Sequence, residues 1–267
     1  MNPDQLIAQF GEQQVASFLL VLGRVGPLFL LAPMFSSRMM PARAKSVAAV
    51  ALAIGIAPIA LRTAGSASGG IPEDAIGLAG LMFKEILVGT AFAFALGAFF
   101  AAVSVAGTLL DTFIGFSFGA LVDPVTGNPG GALNQLYALV GVAIFIAIGG
   151  DAWIIQGLAR TYEAVPLLSA PDIGSLVEGM QVAFSGIFGA ALQVCAPVLL
   201  AVVLTDAAFG VVSKVVPQLN VFAVGFPAKV TVGLVVIAAS LPFLSGWLDD
   251  ELQRSIASAL HALKVSG

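Results

Sequence analysis

The chain has 267 residues, of which 59% are hydrophobic and only 10% charged. A soluble domain carries about 25% charged residues, so this composition and a mean hydropathy of +1.03 exclude an ordinary soluble protein and indicate an integral membrane protein. The net charge of −4, without a basic patch, argues against a nucleic-acid partner.

The N-terminal stretch MNPDQLIAQFGEQQ carries acids and no Lys or Arg. It lacks the basic n-region of a cleaved signal peptide, so the first apolar stretch is expected to persist in the mature protein. Apolar runs bounded by charge then follow in order. Val15–Phe35 contains Arg24 and Pro27. Ser46–Leu61, between Lys45 and Arg62, is short for a hydrocarbon core that needs about 20 residues. Ile86–Leu110 is uncharged, Leu133–Gly150 is short and opens with Asn134 and Gln135, Gly179–Thr205 is long and uncharged, and Val230–Leu248 lies between Lys229 and Asp249. The fold class is therefore all-α integral membrane, with about six hydrophobic, partly broken helices in one membrane-embedded domain over residues 1–267. Leu252, Ile256, Leu260 and Leu263 recur at helical spacing in the tail Asp249–Gly267, which predicts a short C-terminal amphipathic helix. Arg62–Asp74 is the one ordinary solvated loop.

Charge asymmetry reads poorly across these runs. The dense basic cluster is Arg38, Arg43 and Lys45. Placing it in the cytoplasm leaves the loop Asp111–Leu133 on the same side without a basic residue. Helices that do not cross the bilayer regularly would produce such a pattern.

Within the third run, Gly89, Ala93, Gly97 and Ala101 are four residues apart on one face, and small residues at that spacing let helices approach closely. Lys84, Glu85, Asp111, Asp206 and Lys229 sit at the ends of apolar runs, where snorkelling to the interface explains them as well as function does. Lys84 and Glu85 are sequence neighbours, point in different directions on a helix, and are expected to need other partners. Arg24 lies inside its run and must find an acid, carbonyls or water. Cys195 reads as a small core hydrophobe.

Enzyme readings have few residues to work with. The single histidine, His261, is in the polar tail, so His-based catalysis, a metal site or a cofactor site finds no support. Gly149–Gly150–Asp151 loosely resembles an intramembrane aspartyl-protease motif, whose chemistry requires a second carboxylate, here Asp111 or Asp206.

The connector FIGFSFGALVDPVTGNPGGALNQ, Phe113–Gln135, is greasy and glycine-rich where a connector should be polar. Irregular backbone at membrane depth is tolerated only when buried in protein or lining a cavity. Phe113–Leu121 has the composition for that, and equally for an interfacial loop with its aromatics at the headgroups. DPVTGNPGG, from Asp123, is a turn-rich stretch.

This connector resembles the central loop of the FliR family of flagellar export-apparatus proteins and their counterparts in virulence-associated type III secretion. APMFSSRMMPARAK (Ala32–Lys45), FKEILVGTAFAFALGAFFAAVSVAGTLLD (ending at Asp111) and Ala191–Val236 are similar to family segments in the same order, PQLNVFAVGFP (Pro217–Pro227) most specifically. Two departures stand out: Gly150–Asp151 where the family often has Gly-His, and Lys214 where Arg is common. The resemblance implies a non-enzymatic subunit of the flagellar export gate in the bacterial inner membrane and flagellar basal body. It implies assembly with FliP- and FliQ-family proteins within the lipid bilayer, and unfolded rod, hook and filament subunits as transient substrates. It further implies that the central loop is a gating plug. Phe113 leads into that plug, Gly115, Phe116, Ser117, Phe118 and Gly119 form it, and Asp123 and Pro124 end it. A small-solute transporter, which would favour an internal repeat and paired mid-membrane polar groups, and a purely structural scaffold are the competing readings.

Overall fold

A computed structural model describes residues 3–32, 35, 40–64, 71–72, 74–117, 131–218 and 220–263. Among them the secondary structure is helical: α1 (Pro3–Leu31), α2 (Ala42–Ala64), α3 (Ala75–Ile114), α4 (Ala132–Ala147), α5 (Gly150–Ala164), α6 (Ile173–Val215) and α7 (Val221–Ala262). Five of the helices, α1, α2, α3, α6 and α7, are long and apolar enough to cross a membrane. The bent pair α4–α5 makes a sixth if it forms one broken span.

Helix is the only economical choice for such a sequence, because apolar surroundings leave backbone N–H and C=O groups no partners outside their own segment. The few hydroxyls follow the same logic. Thr108, Thr112, Thr205 and Thr231 donate to the carbonyls of Ser104, Thr108, Ala201 and Pro227, four residues back. Pro27, Pro58, Pro197, Pro227 and Pro242 all lie inside helices, as membrane helices tolerate.

Three boundaries differ from the sequence expectation. The Ser46–Leu61 run is the apolar middle of a 23-residue helix whose ends carry Arg43, Lys45 and Arg62; long basic side chains extend a span by reaching past it. The Leu133–Gly150 run breaks at Ile148–Gly149, where Gly149 has φ +67°. The tail is helical as far as Ala262, with Leu252 and Ile256 buried and Leu263 buried just beyond it, but it is the last part of α7 rather than a separate helix. Helices α3, α6 and α7 have 40, 43 and 42 residues. At 1.5 Å per residue each is roughly 60 Å long, about twice a hydrocarbon core.

The helices form two compact units: Met1–Ala98 with Gly150–Phe184 and Leu252–Gly267, and Phe99–Gly149 with Ser185–Glu251. In the first, α2 packs along α1 and also meets α5. Its core includes Val88, Val165, Leu176 and Leu263, with Ala91, Ala164 and Leu260 against them. A Cβ on Gly157 would lie 2.8 Å from Ile256 and 2.9 Å from Phe92, so the bare backbone lets α5 seat against both. In the second unit, Phe100 packs on Phe99 and Phe145 with ring centroids 5.0 and 5.2 Å away. Trp247 Nε1 donates to Gln193 Oε1 at 3.1 Å, which ties α7 to α6. Of the most apolar stretch, 56% is buried in α3 but only 11% in α7. Phe184, Phe188, Leu200, Leu204 and Val211 of α6 remain exposed by this chain. Surfaces of that kind face lipid or another protein.

Candidate functional site

Two polar constructions interrupt the apolar interior, one in each unit. The first is built on Arg24. It is fully buried, and Gly89 explains how α3 comes so near: a Cβ there would overlap the carbonyl oxygen of Arg24 and lie 2.9 Å from its carbonyl carbon. Glu85 is one turn before Gly89 on the same face. Its Oε2 takes the Arg24 Nε–H at 2.5 Å. Arg24 Nη1 donates to the Thr161 carbonyl at 3.0 Å and to Thr161 Oγ1 at 3.3 Å. The hydroxyl itself donates to Leu158 O at 2.6 Å, which orients its lone pairs toward the guanidinium. The Tyr162 ring lies 4.0 Å from the guanidinium carbon, a cation–π contact. Lys84 Nζ stands 2.8 Å from Glu85 Oε1 and donates to the Leu167 carbonyl.

Lys84 and Glu85 therefore pair with each other, contrary to the sequence expectation. Adjacent positions diverge around a helix, but the four-carbon lysine stem is long enough to fold back. Each also has the further partner that was expected. Glu85 reads in sequence as an end residue that snorkels; the structure buries it completely. Thr161 and Tyr162 give no separate signal in the sequence.

Of the small-residue face on α3, Gly89 lies against Arg24 of α1, and a Cβ at Gly97 would sit 3.7 Å from Leu31 O, an ordinary contact. Ala93 is fully buried and Ala101 partly so.

The second construction is the stem of the central loop. Phe113 is exposed in the last turn of α3. Gly115 then adopts φ +103°, a conformation that favours glycine and stops the helix. Its N–H and that of Ser117 both donate to the Asp111 carbonyl, at 3.0 and 3.2 Å. Phe116 and Ser117 are half-buried. Phe118, Gly119, Asp123 and Pro124 lie outside the described residues, as does most of the Arg62–Asp74 loop. Ile114 is buried, and Gly233 of α7 is the bare position that receives it: a Cβ there would be 2.6 Å from Ile114 Cδ1.

The chain re-emerges at Gly131, directly beside Asp111. Asp111 Oδ1 accepts from Leu133 N–H at 2.9 Å and Oδ2 from Asn134 N–H at 2.8 Å. Asn134 Nδ2 donates to Ser104 O at 3.2 Å and to Thr108 Oγ1 at 2.5 Å. The sequence draws attention to Asp111 as a charge and to Asn134 as a polar start of an apolar run. Nothing in their spacing predicts that they meet.

Two further charges singled out by the sequence pair with each other. Asp206 Oδ2 lies 2.7 Å from Lys229 Nζ, in a partly exposed pair that joins α6 to α7. Asp151 is exposed at the start of α5. Among the described residues no three His, Cys, Asp or Glu side chains gather as metal ligands would.

Five or six apolar spans, a buried charge network and a polar contact joining the ends of α3 and α4 define a multi-pass α-helical membrane protein. Residues 15–255 match the model of a family described as bacterial export proteins, family 1, and the chain belongs to that family. It is 31% identical over 255 residues to the flagellar biosynthetic protein FliR of Bacillus subtilis (strain 168), covering 94% of this chain and 96% of that one. It is 28% identical over 245 residues to FliR of Escherichia coli (strain K12), covering 91% and 92%. The surface presentation of antigens protein SpaR of Salmonella typhimurium is 24% identical over 243 residues, covering 90% and 87%.

Proposed function

We propose that this chain is a non-enzymatic, inner-membrane subunit of the flagellar type III export gate, and that Phe113–Pro124 forms its gating plug. Membership of the flagellar export apparatus follows from the family match and from FliR relatives aligned over nearly the whole chain. Its companions in this reading are FliP- and FliQ-family proteins, and its cargo is unfolded rod, hook and filament subunits. The uncovered apolar sides of α6 and α7 leave ample surface for such companions.

The observation that carries the gating reading is the connector. An apolar segment that includes Phe113 and Phe116 leaves α3 through Gly115 in a glycine conformation, above a buried polar stem. An apolar constriction blocks water and ions until it is displaced, and glycine permits the displacement. Arg24 and Asp111, the natural candidates for a small-solute pathway, are both committed to partners inside the protein. That favours the gate over a transporter.

The test is to delete Phe113–Leu121 and measure ion leak through membranes carrying the assembled gate. Leak well above wild type is expected, and unchanged conductance would sink the plug. Gentle extraction of the tagged protein tests the companions: a large stable complex with FliP and FliQ proteins is expected, and a lone monomer or homodimer would overturn the gate reading.

A further inference from the structure

We propose that Asp111 is a positioning residue for gating. Its carboxylate locks the first turn of α4 to the last turns of α3, and so holds together the two points from which the gating segment leaves and to which it returns. The inference rests on the gate reading above, and is tested so that the two can fail separately.

The first turn of a helix has N–H groups with no intrahelical acceptor. A Ser, Asp or Asn at the N-cap ordinarily supplies one. Helix α4 has Gly131 there, with no side chain to offer. Asp111 does this work from another helix. It is 2% exposed, and one oxygen takes the N–H of Leu133 while the other takes that of Asn134. A carboxylate at a helix N-terminus also meets the positive end of the helix dipole, which strengthens both bonds.

The surrounding residues are shaped for this contact. A Cβ on Gly131 would overlap all three atoms of the Asp111 carboxyl group. Gly131 has φ −64° and ψ 171°, a conformation open to any residue, so it is space rather than backbone freedom that calls for glycine. Ser104, Gly107, Thr108 and Asp111 form one face of α3. A Cβ on Gly107 would be 2.7 Å from Asn134 Cα, and the Asn134 amide reaches Ser104 and Thr108 on the same face. Ile114, one turn beyond Asp111 and about two beyond Gly107, is held by α7 at Gly233. The stem is thus held on three sides, by Asp111 on the first turn of α4, by Asn134 on Ser104 and Thr108, and by Ile114 on Gly233.

Two variants attack the lock by different routes. Asp111→Asn keeps the shape but removes the charge and one acceptor. Gly131→Ala keeps the charge and pushes the carboxylate off the helix end. Ion leak is measured per assembled gate, in vesicles containing the purified complex, with the Phe113–Leu121 deletion as the leaking reference. Both variants are expected to assemble into complexes of wild-type mass and to leak several-fold more than wild type. Should Asp111→Asn fail to accumulate, Gly131→Ala carries the test, because α3 is then unaltered. A third variant adds Thr108→Cys and Asn134→Cys to Asp111→Asn, with Cys195→Ala to remove the native thiol. Oxidation of that pair is expected to close the leak and reduction to reopen it, which a merely stabilising role for Asp111 would not produce. Tight gates from both single variants, beside a leaking deletion, would overturn the positioning role and leave the plug standing. A tight deletion would overturn the plug, and the role of Asp111 with it.

Discussion

Arg24 and Asp111 are both charges buried in apolar surroundings, and they are stabilised in opposite ways. Arg24 is held chiefly by another full charge, Glu85, with Thr161 and the Tyr162 ring also against it. Asp111 is held by backbone dipoles, the N–H groups of Leu133 and Asn134. Removing one partner of an ion pair strands the other charge in a low-dielectric interior. Removing the charge of Asp111 as asparagine leaves one neutral donor without its acceptor, a smaller penalty. The first arrangement suits a fixed junction of three helices, α1, α3 and α5. The second ties the end of α3 to the start of α4, across the connector between them.

The largest effect expected from this contrast is at the ion pair. Glu85→Leu should destabilise the protein by about 3–5 kcal/mol, the cost of an uncompensated buried charge, read as loss of folded protein in mild detergent. Arg24→Met combined with Glu85→Met should recover most of that loss. A double variant no better than the single one would mean the pair is not the unit of stability. Next in size is Gly89→Ala, which forces a methyl against the Arg24 main chain and should cost about 1–3 kcal/mol by overpacking. Gly97→Ala, with an ordinary contact at 3.7 Å to Leu31 O, should stay within about 0.5 kcal/mol; equal melting temperatures for the two variants would remove the difference drawn between these glycines. The smallest effect is expected at the partly exposed pair of α6 and α7. Asp206→Asn should change stability by less than about 1 kcal/mol, and a loss as large as that at Glu85 would show that this pair is buried in the working assembly.

Much of the fold was legible in the sequence because its signals are local. Apolar runs bounded by Arg43, Lys45, Arg62, Lys84, Lys229 and Asp249 located the helices, and the spacing of Leu252, Ile256, Leu260 and Leu263 located the buried face of the tail. Boundaries were less legible. Composition marks where a helix is greasy, whereas the helix continues for as long as its hydrogen bonds do, so α3, α6 and α7 all extend past their apolar runs. Glu85 stood next to a break in hydropathy and read as an end residue; a helix that continues through it carries it into the interior.

The candidate sites divide along the same line. The sequence by itself determined that Arg24 must find an acid, carbonyls or water, because a charge inside an apolar run costs heavily when unpaired, and that Phe113–Leu121 is unusual, because a connector should be polar. It also determined the family, through segments in matching order along the chain. Only the tertiary structure decided that Arg24 meets Glu85, a residue 61 positions away, and that Asp111 caps a helix starting beyond the loop. Those choices depend on which helix faces approach closely. Close approach is set at a few bare positions, Gly89, Gly107 and Gly131, where a single methyl would hold the backbones apart.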